Sequence, residues 1–159
     1  MPHIHEKIDF CSEVFIVNEG KILLRKHDKF RVWMSIGGHI ELDEDPAEAA
    51  VREVKEEVGL DVKLFDDYEP KIETLGDTNR VVAPRFINRH RINETHEHIA
   101  MVYFATTENP NVFVLQNSHE TVNEEEWNWF TKEEVEVLEN CPKNVKQYAR
   151  VAIDEIGNN

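Results

Sequence analysis

The chain is short of basic residues, of cysteine and of long apolar runs, and each shortage closes off a class of function. Its 18 lysines and arginines face 32 aspartates and glutamates, a formal net charge of −14 over 159 residues. Nucleic-acid binding draws much of its affinity from basic groups that neutralise phosphates. The acidic balance therefore argues against DNA, long RNA and anionic membranes as partners. A small nucleotide arriving with magnesium escapes that objection, because the metal screens its phosphates.

Only two cysteines occur, Cys11 and Cys141, far apart and in no metal-like or redox pattern. They read as a half-buried strand residue and a helix-flanking residue in a reducing compartment. No apolar run approaches membrane-spanning length. The start, Met1-Pro2-His3-Ile4-His5-Glu6, lacks the basic and apolar pattern of a signal peptide. A cytoplasmic protein is expected. Repeats and low-complexity linkers are missing as well. Length and a hydrophobic content of 40% fit one folded domain over residues 1–159.

What is present is concentrated between Gly38 and Leu60. Asp45 is a good N-cap, Pro46 suits the first helical position, and Glu48 stands where a capping-box acid belongs. Gly59 is a natural residue just past a helix end, so a helix is expected from about Pro46 to Val58. At about 100° per residue, Ala47, Ala50, Val51, Val54 and Val58 share one arc, the expected buried stripe. Glu53, Glu56 and Glu57 occupy the neighbouring arc, one helical turn apart. Arg52 flanks them and can pair with a carboxylate to fix its orientation. Like charges this close repel, so the arrangement costs stability unless a cation sits among them. Hard divalent cations prefer such oxygen ligands.

A Glu-rich helix can also be simply soluble, and a Glu-Glu pair alone would favour that reading. The full string decides otherwise. Gly38, Glu44, Arg52, Glu53, Val54, Glu56, Glu57, Gly59 and Leu60 match Gly-x5-Glu-x7-Arg-Glu-U-x-Glu-Glu-x-Gly-U without substitution, where U is a bulky aliphatic residue. This resembles the Nudix box, the signature of the Nudix hydrolases. The resemblance implies an α/β fold: an α/β/α sandwich around a mixed sheet, with the box as a loop-helix-loop metal site. It implies metal-dependent hydrolysis of a phosphoanhydride bond in a nucleoside diphosphate linked to another group, using Mg2+ or Mn2+. By analogy Glu53 and Glu57 are metal ligands, and Glu56 is a ligand or its supporting neighbour. The backbone carbonyl of Gly37 or Gly38 is a further ligand, brought close by a tight glycine turn. Arg52 orients the carboxylates, and Glu44 holds the loop to the helix. Glu56 or Glu53 is the expected general base, with the later Glu120, Glu124, Glu125 and Glu126 as competitors. The family often has proline before the glycine pair; Ile36 stands there instead, leaving every metal-site side chain intact.

Other elements follow from pattern. Val14 to Val17 and Lys21 to Arg25 read as a hairpin around Asn18-Glu19-Gly20. Phe30 to Ile36 reads as a strand, as do Leu60 to Phe65, Arg80 to Ile87 and His98 to Thr107, the last two pairing across a loop from Asn88 to Glu97. A short strand is expected near Val112 to Leu115 and another at Trp127-Asn128-Trp129-Phe130. Thr131 and Glu134 box a helix from about Lys132 to Glu139. Pro142 to Ile156 reads as an amphipathic helix.

Substrate signals are weaker. Arg25, Arg31, Arg85, Arg89 and Arg91 can contact phosphates or pair with surface acids, and pairing is the simpler reading for each. Phe30, Trp33, Phe86 and Trp127 can stack on a base or fill the core. His96-x-His98 can place both rings on one strand face as a second metal site, or pair with Glu94 or Glu97. His3-x-His5 carries less weight. Size favours a (d)NTP or dinucleotide pyrophosphohydrolase acting as monomer or homodimer. The competing reading is a catalytically silent nucleotide-binding or regulatory module, which loss of box glutamates would support; none is lost.

Overall fold

The first strand organises everything else, because its alternating side chains found two separate cores. The computed structural model describes residues 7–27, 30–68, 76–113 and 127–157. In β1 (Ile8–Asn18), Val14 and Ile16 point to one face of the sheet and Phe15 and Val17 to the other. β2 (Lys21–Lys26) returns antiparallel through Glu19 and Gly20, whose φ values of 47° and 72° give the two-residue turn that matches strand twist.

The strand expected over Phe30 to Ile36 is two strands on different partners. β3 (Trp33–Met34) pairs with β2, the chain crosses at Ser35, and β4 (Ile36–His39) pairs with β1. The glycine pair is thus part of a strand and not a tight turn. At Gly37 an added Cβ would overlap the carbonyl oxygen of Ser12, so the close approach of β1 and β4 requires glycine there.

Helix α1 (Pro46–Val58) has the expected bounds, with the reciprocal Asp45–Glu48 capping box and Gly59 at φ 70° closing its end. Ser12 Oγ donates to the Pro46 carbonyl at 2.6 Å and ties the helix start to β1. Its buried stripe is rotated from the expected one: Ala49 is fully buried, while Val51 is 40% exposed. The reason lies in β4. Without side chains at Gly37 and Gly38 the helix packs directly on that strand, turning Ala49 and Glu53 inward.

β5 keeps only Lys63–Leu64 of the expected strand, paired with β7 (Glu97–Thr106). β6 (Phe86–Arg91) begins later and runs further than expected, leaving a loop of residues 92–96 before β7. Pro84 has no N–H to give a ladder, and Arg85 N, the next donor, reaches Val102 O at 2.7 Å. Val112 and Phe113 are not in a strand; residues 114 and 115 lie outside the described ones. β8 (Trp127–Phe130) pairs with β2, α2 (Lys132–Val137) has the Thr131–Glu134 capping box, and α3 (Lys143–Gly157) ends the fold.

β1 and β7 run parallel while the other pairings are antiparallel, giving one mixed sheet ordered β3-β2-β1-β7-β5 with β4, β6 and β8 as branches. Ala50, Val54 and Val58 of α1 cover the Val14 and Ile16 face. Val135 of α2 and Val145, Ala149 and Ala152 of α3 cover the Phe15 and Val17 face. This is an α/β/α sandwich. The α3 face is apolar only along the second half of β1; its first half carries Asp9, Cys11 and Glu13 in the same alternation.

Candidate active site

Three box carboxylates leave α1 in three different environments. Glu53 is 2% exposed and lies against β4, where a Cβ on Gly38 would come within 2.5 Å of its Oε1. The second glycine therefore makes room for a carboxylate. Burial pushes the Glu53 carboxyl above its ordinary range, opposed by the hydrogen bond and charge of Arg52. Glu57 accepts from Arg25 Nη1 of β2 at 2.5 Å and from the Gly37 N–H at 3.2 Å. Glu56 is the exposed member, paired with Arg52 at 3.1 Å.

Arg52 is the hub of this edge. Its Nε and Nη2 donate to the two oxygens of Glu44 at 2.9 and 2.6 Å, and Nη2 also reaches the His39 carbonyl at 3.0 Å. Nη1 donates to Glu53 Oε1 at 2.9 Å as well as to Glu56. Such forked donors fix planar carboxylates far better than a point charge does. Glu44, held well below the usual carboxylate range by Arg52, also accepts from the Glu41 N–H at 2.9 Å and so pins the loop ahead of the helix.

Two concave surfaces meet at the acidic edge. An outer groove of about 1050 Å³ runs past Arg52, Lys55, Glu56 and Arg80. On the other side a cleft of about 380 Å³ is lined by Glu57, Gly37, Gly38, Arg25 and Glu13. The ligand oxygens of Glu53, Glu56 and Glu57 do not gather within 4.8 Å of one another in this arrangement, because Arg25 draws Glu57 one way and Arg52 draws Glu56 another. Their chemistry nevertheless fits a hard divalent cation: the donors are all carboxylate oxygens, beside bare glycine backbone.

The remaining candidates divide. Arg85 pairs with Asp67 and Glu155, and Arg89 with Glu97. Arg25 pairs with an acid too, but with a box acid inside the cleft. Trp33 packs on Phe130, Phe86 on Phe104 and Tyr148, and Trp127 on the α1-side core. Phe30 alone of the four is 59% exposed at the cleft, its ring 4.9 Å from that of His27. Glu120, Glu124, Glu125, Glu126, His3 and His5 lie outside the described residues.

Sequence reasoning missed several cleft residues. Glu13 sits opposite Gly37 in the β1–β4 ladder, and burial raises its carboxyl while a Ser35 hydrogen bond opposes the shift. The available signal was an acid one residue before the apolar run Val14 to Val17. His96 and His98 do share a face, but their acidic neighbour is neither Glu94 nor Glu97. His96 Nε2 lies 3.3 Å from Asp9 Oδ2, and His39 Nε2 lies 3.4 Å from the same oxygen. Cys11 is 7% exposed, more buried than expected, and its Sγ is 3.3 Å from His98 Nδ1.

Comparison with known proteins extends the resemblance beyond the box. The NUDIX domain model matches residues 12–151. A CTP pyrophosphohydrolase of Escherichia coli (strain K12) is 30% identical over 105 residues, covering 58% of this chain and 73% of its own length. A probable DHNTP pyrophosphohydrolase of Lactococcus lactis is 25% identical over 147 residues, 92% of this chain and 75% of the relative. The crystal structure of a NUDIX-family hydrolase from Clostridium perfringens superposes with a TM-score of 0.78 at 29% identity, over 93% of this chain and 97% of that one. A box without substitution, the sandwich that carries it and a family match over most of the chain agree, and the protein belongs to the Nudix hydrolases.

Proposed function

We propose that this Nudix hydrolase cleaves the phosphoanhydride of a nucleoside triphosphate or a dinucleotide, with Mg2+ or Mn2+ held at the box helix. Nudix hydrolases use a divalent metal and act on small nucleotide substrates. The observation that carries the assignment is the seating of Glu53 against Gly38, where any Cβ would displace the carboxylate. A buried carboxylate is retained where a cation or a guanidinium balances it, and Arg52 alone serves three acids.

In this reading Glu53 and Glu57 are the principal ligands, the carbonyl of Gly37 or Gly38 adds a third oxygen, and Glu56 lies beside them. A cation held by these residues would neutralise charge on the diphosphate and acidify water near it. Arg52 holds Glu53 and Glu56 in fixed orientations and Glu44 holds Arg52. Glu56, the most exposed box acid, takes the proton of the attacking water. Arg25 and its partner Glu57 both line the cleft, so Arg25 is placed to trade its acid for a substrate phosphate if Glu57 holds the cation. Phe30 offers an exposed ring for a base. The chain acts as one domain over residues 1–159, as a cytoplasmic monomer or homodimer. No helix among the described residues is long and apolar enough to cross a membrane.

The experiment is a panel of nucleoside triphosphates, dinucleoside polyphosphates and nucleotide sugars incubated with Mg2+ or Mn2+, with the phosphorus products identified. Cleavage of a triphosphate or dinucleotide that Glu57→Gln removes while fold persists supports the reading. Preference for nucleotide sugars alone would replace the substrate class, and full activity in Glu57→Gln would overturn the ligand set.

A further inference from the structure

The cleft beside the box ends in a group of side chains that hydrolysis of a phosphoanhydride does not call for. β1, β4, β6 and β7 place it by register alone. Cys11 stands opposite His39 in the β1–β4 ladder, Asp9 opposite His98 in the parallel β1–β7 ladder, and His90 opposite His98 in the β6–β7 ladder. Directly paired residues point to the same face, so one face of the sheet carries His39 beside Cys11 and, two residues back along β1, Asp9 beside His98 and His90. His39 Nε2 is 3.4 Å from His98 Nε2, and one donor atom each from Cys11, His39 and His98 falls within 4.8 Å of the others.

We propose that Cys11, His39 and His98 form a second metal site, for a borderline-soft divalent cation of the zinc class, with its fourth position open to the cleft. Donor type excludes the box metal from this place: sulfur and imidazole nitrogen select zinc-like ions, whereas magnesium takes oxygen. Spacing agrees. Bonds of 2.0–2.3 Å in a tetrahedron put donor atoms about 3.3–3.6 Å apart. Cys11 Sγ is 3.3 Å from His98 Nδ1 and His39 Nε2 is 3.4 Å from His98 Nε2, so an ion takes one of the two nitrogens and the other donor closes in from within 4.8 Å. Closing the widest separation requires movement on the order of 1 Å.

Electrostatics point the same way. His98 is pushed down to about 4 by burial and by its imidazole neighbours His39, His90 and His96, so it is a neutral imidazole at neutral pH. Burial together with Glu13, Asp9 and Glu53 pushes the Cys11 thiol up to about 12. The negative field that resists a lone thiolate attracts a dication, which then takes the place of the thiol proton. Asp9 is 0% exposed, and its Oδ2 lies beside His39 and His96, a buried oxygen next to the site. Asp9, His96 and His98 also come together, but Asp9 and His96 are closed off from solvent. Cys11, His39 and His98 all line the cleft, which gives an ion its entry path.

Cobalt(II) titration of the chelator-stripped full chain tests this independently of hydrolysis, with Mg2+ present in excess. Wild type is expected to bind one equivalent, with a sulfur-to-cobalt charge-transfer band and the intense visible bands of a tetrahedral ion, both displaced by Zn2+. Cys11→Ser should abolish the charge-transfer band and Cys141→Ser should keep it. His98→Asn should weaken binding beyond the roughly 10–100-fold that loss of an outer partner costs, and Glu57→Gln should leave the spectrum intact. Circular dichroism confirms that each variant is folded. A wild-type spectrum without the charge-transfer band overturns the proposal, whatever the variants do. So does a band that survives Cys11→Ser or disappears with Glu57→Gln.

Discussion

The acidic edge of α1 and the histidine row of β1, β4 and β7 share one cleft and are built in opposite ways. The edge takes its carboxylates from one turn of one helix and its order from two arginines, Arg52 and Arg25. The row takes each donor from a different strand, and its order comes from hydrogen-bonded register. The first is all oxygen and suits a hard cation; the second is nitrogen and sulfur and suits a softer one. Local sequence creates a site when its spacing matches a helical turn. Tertiary pairing creates a site when a sheet aligns positions that the sequence keeps apart.

The largest expected effect separates the two regions chemically. Glu53→Gln removes the buried ligand charge of the edge and should lower turnover roughly 10²–10³-fold, the scale of losing one preorganised electrostatic partner. Steady-state kinetics with the best nucleotide reads this out. Wild-type turnover would sink the ligand assignment and break the contrast between the regions.

Mg2+ should act on the edge alone. In the proposed site a cation would relieve repulsion among Glu53, Glu56 and Glu57, and at about 100 times its Kd it would contribute about 2.7 kcal/mol of stability. A calorimetric melt should rise with Mg2+ in wild type and much less in Glu57→Gln. An unchanged melting temperature at saturating Mg2+ would show that metal and fold are not coupled here.

Gly38→Ala probes the contact between helix and strand. The new methyl would lie 2.5 Å from Glu53 Oε1 and 2.6 Å from its Cδ, so the carboxylate must move. Overpacking of this kind costs about 1–3 kcal/mol, and Mg2+ affinity should fall with it. If isothermal titration finds the affinity unchanged, Gly38 does not position Glu53.

These differences explain what was legible in the sequence. The box helix, its caps and Arg52's carboxylate partners lie within a few residues of one another, and local geometry fixes them. Glu53's depth did not follow, because two glycines in β4 admit the helix and turn the stripe toward Ala49. Phe30 to Ile36 was split for a similar reason: the chain changes partner at Ser35, and periodicity carries no partner information. His98 meets Cys11 across 87 positions and His39 across 59. His96-x-His98 raised the suspicion of a metal, but Asp9, Cys11 and His39 join only through the parallel β1–β7 and antiparallel β1–β4 ladders.

The smallest expected effect is the cleanest separator. The Asp45 carboxylate accepts from the Ala47 and Glu48 N–H groups at 2.8 and 2.9 Å, and Glu48 returns a bond to the Asp45 N–H at 2.9 Å. Asp45→Ala deletes the cap of the helix that carries Glu53, Glu56 and Glu57 and touches no residue of the histidine row. It should cost about 1 kcal/mol in urea unfolding, while the cobalt spectrum of the chelator-stripped chain stays as in wild type. The metal edge depends on where one helix begins, and the row depends on sheet register. A change in the cobalt spectrum on losing this cap would mean that the two sites share a support the structure keeps separate.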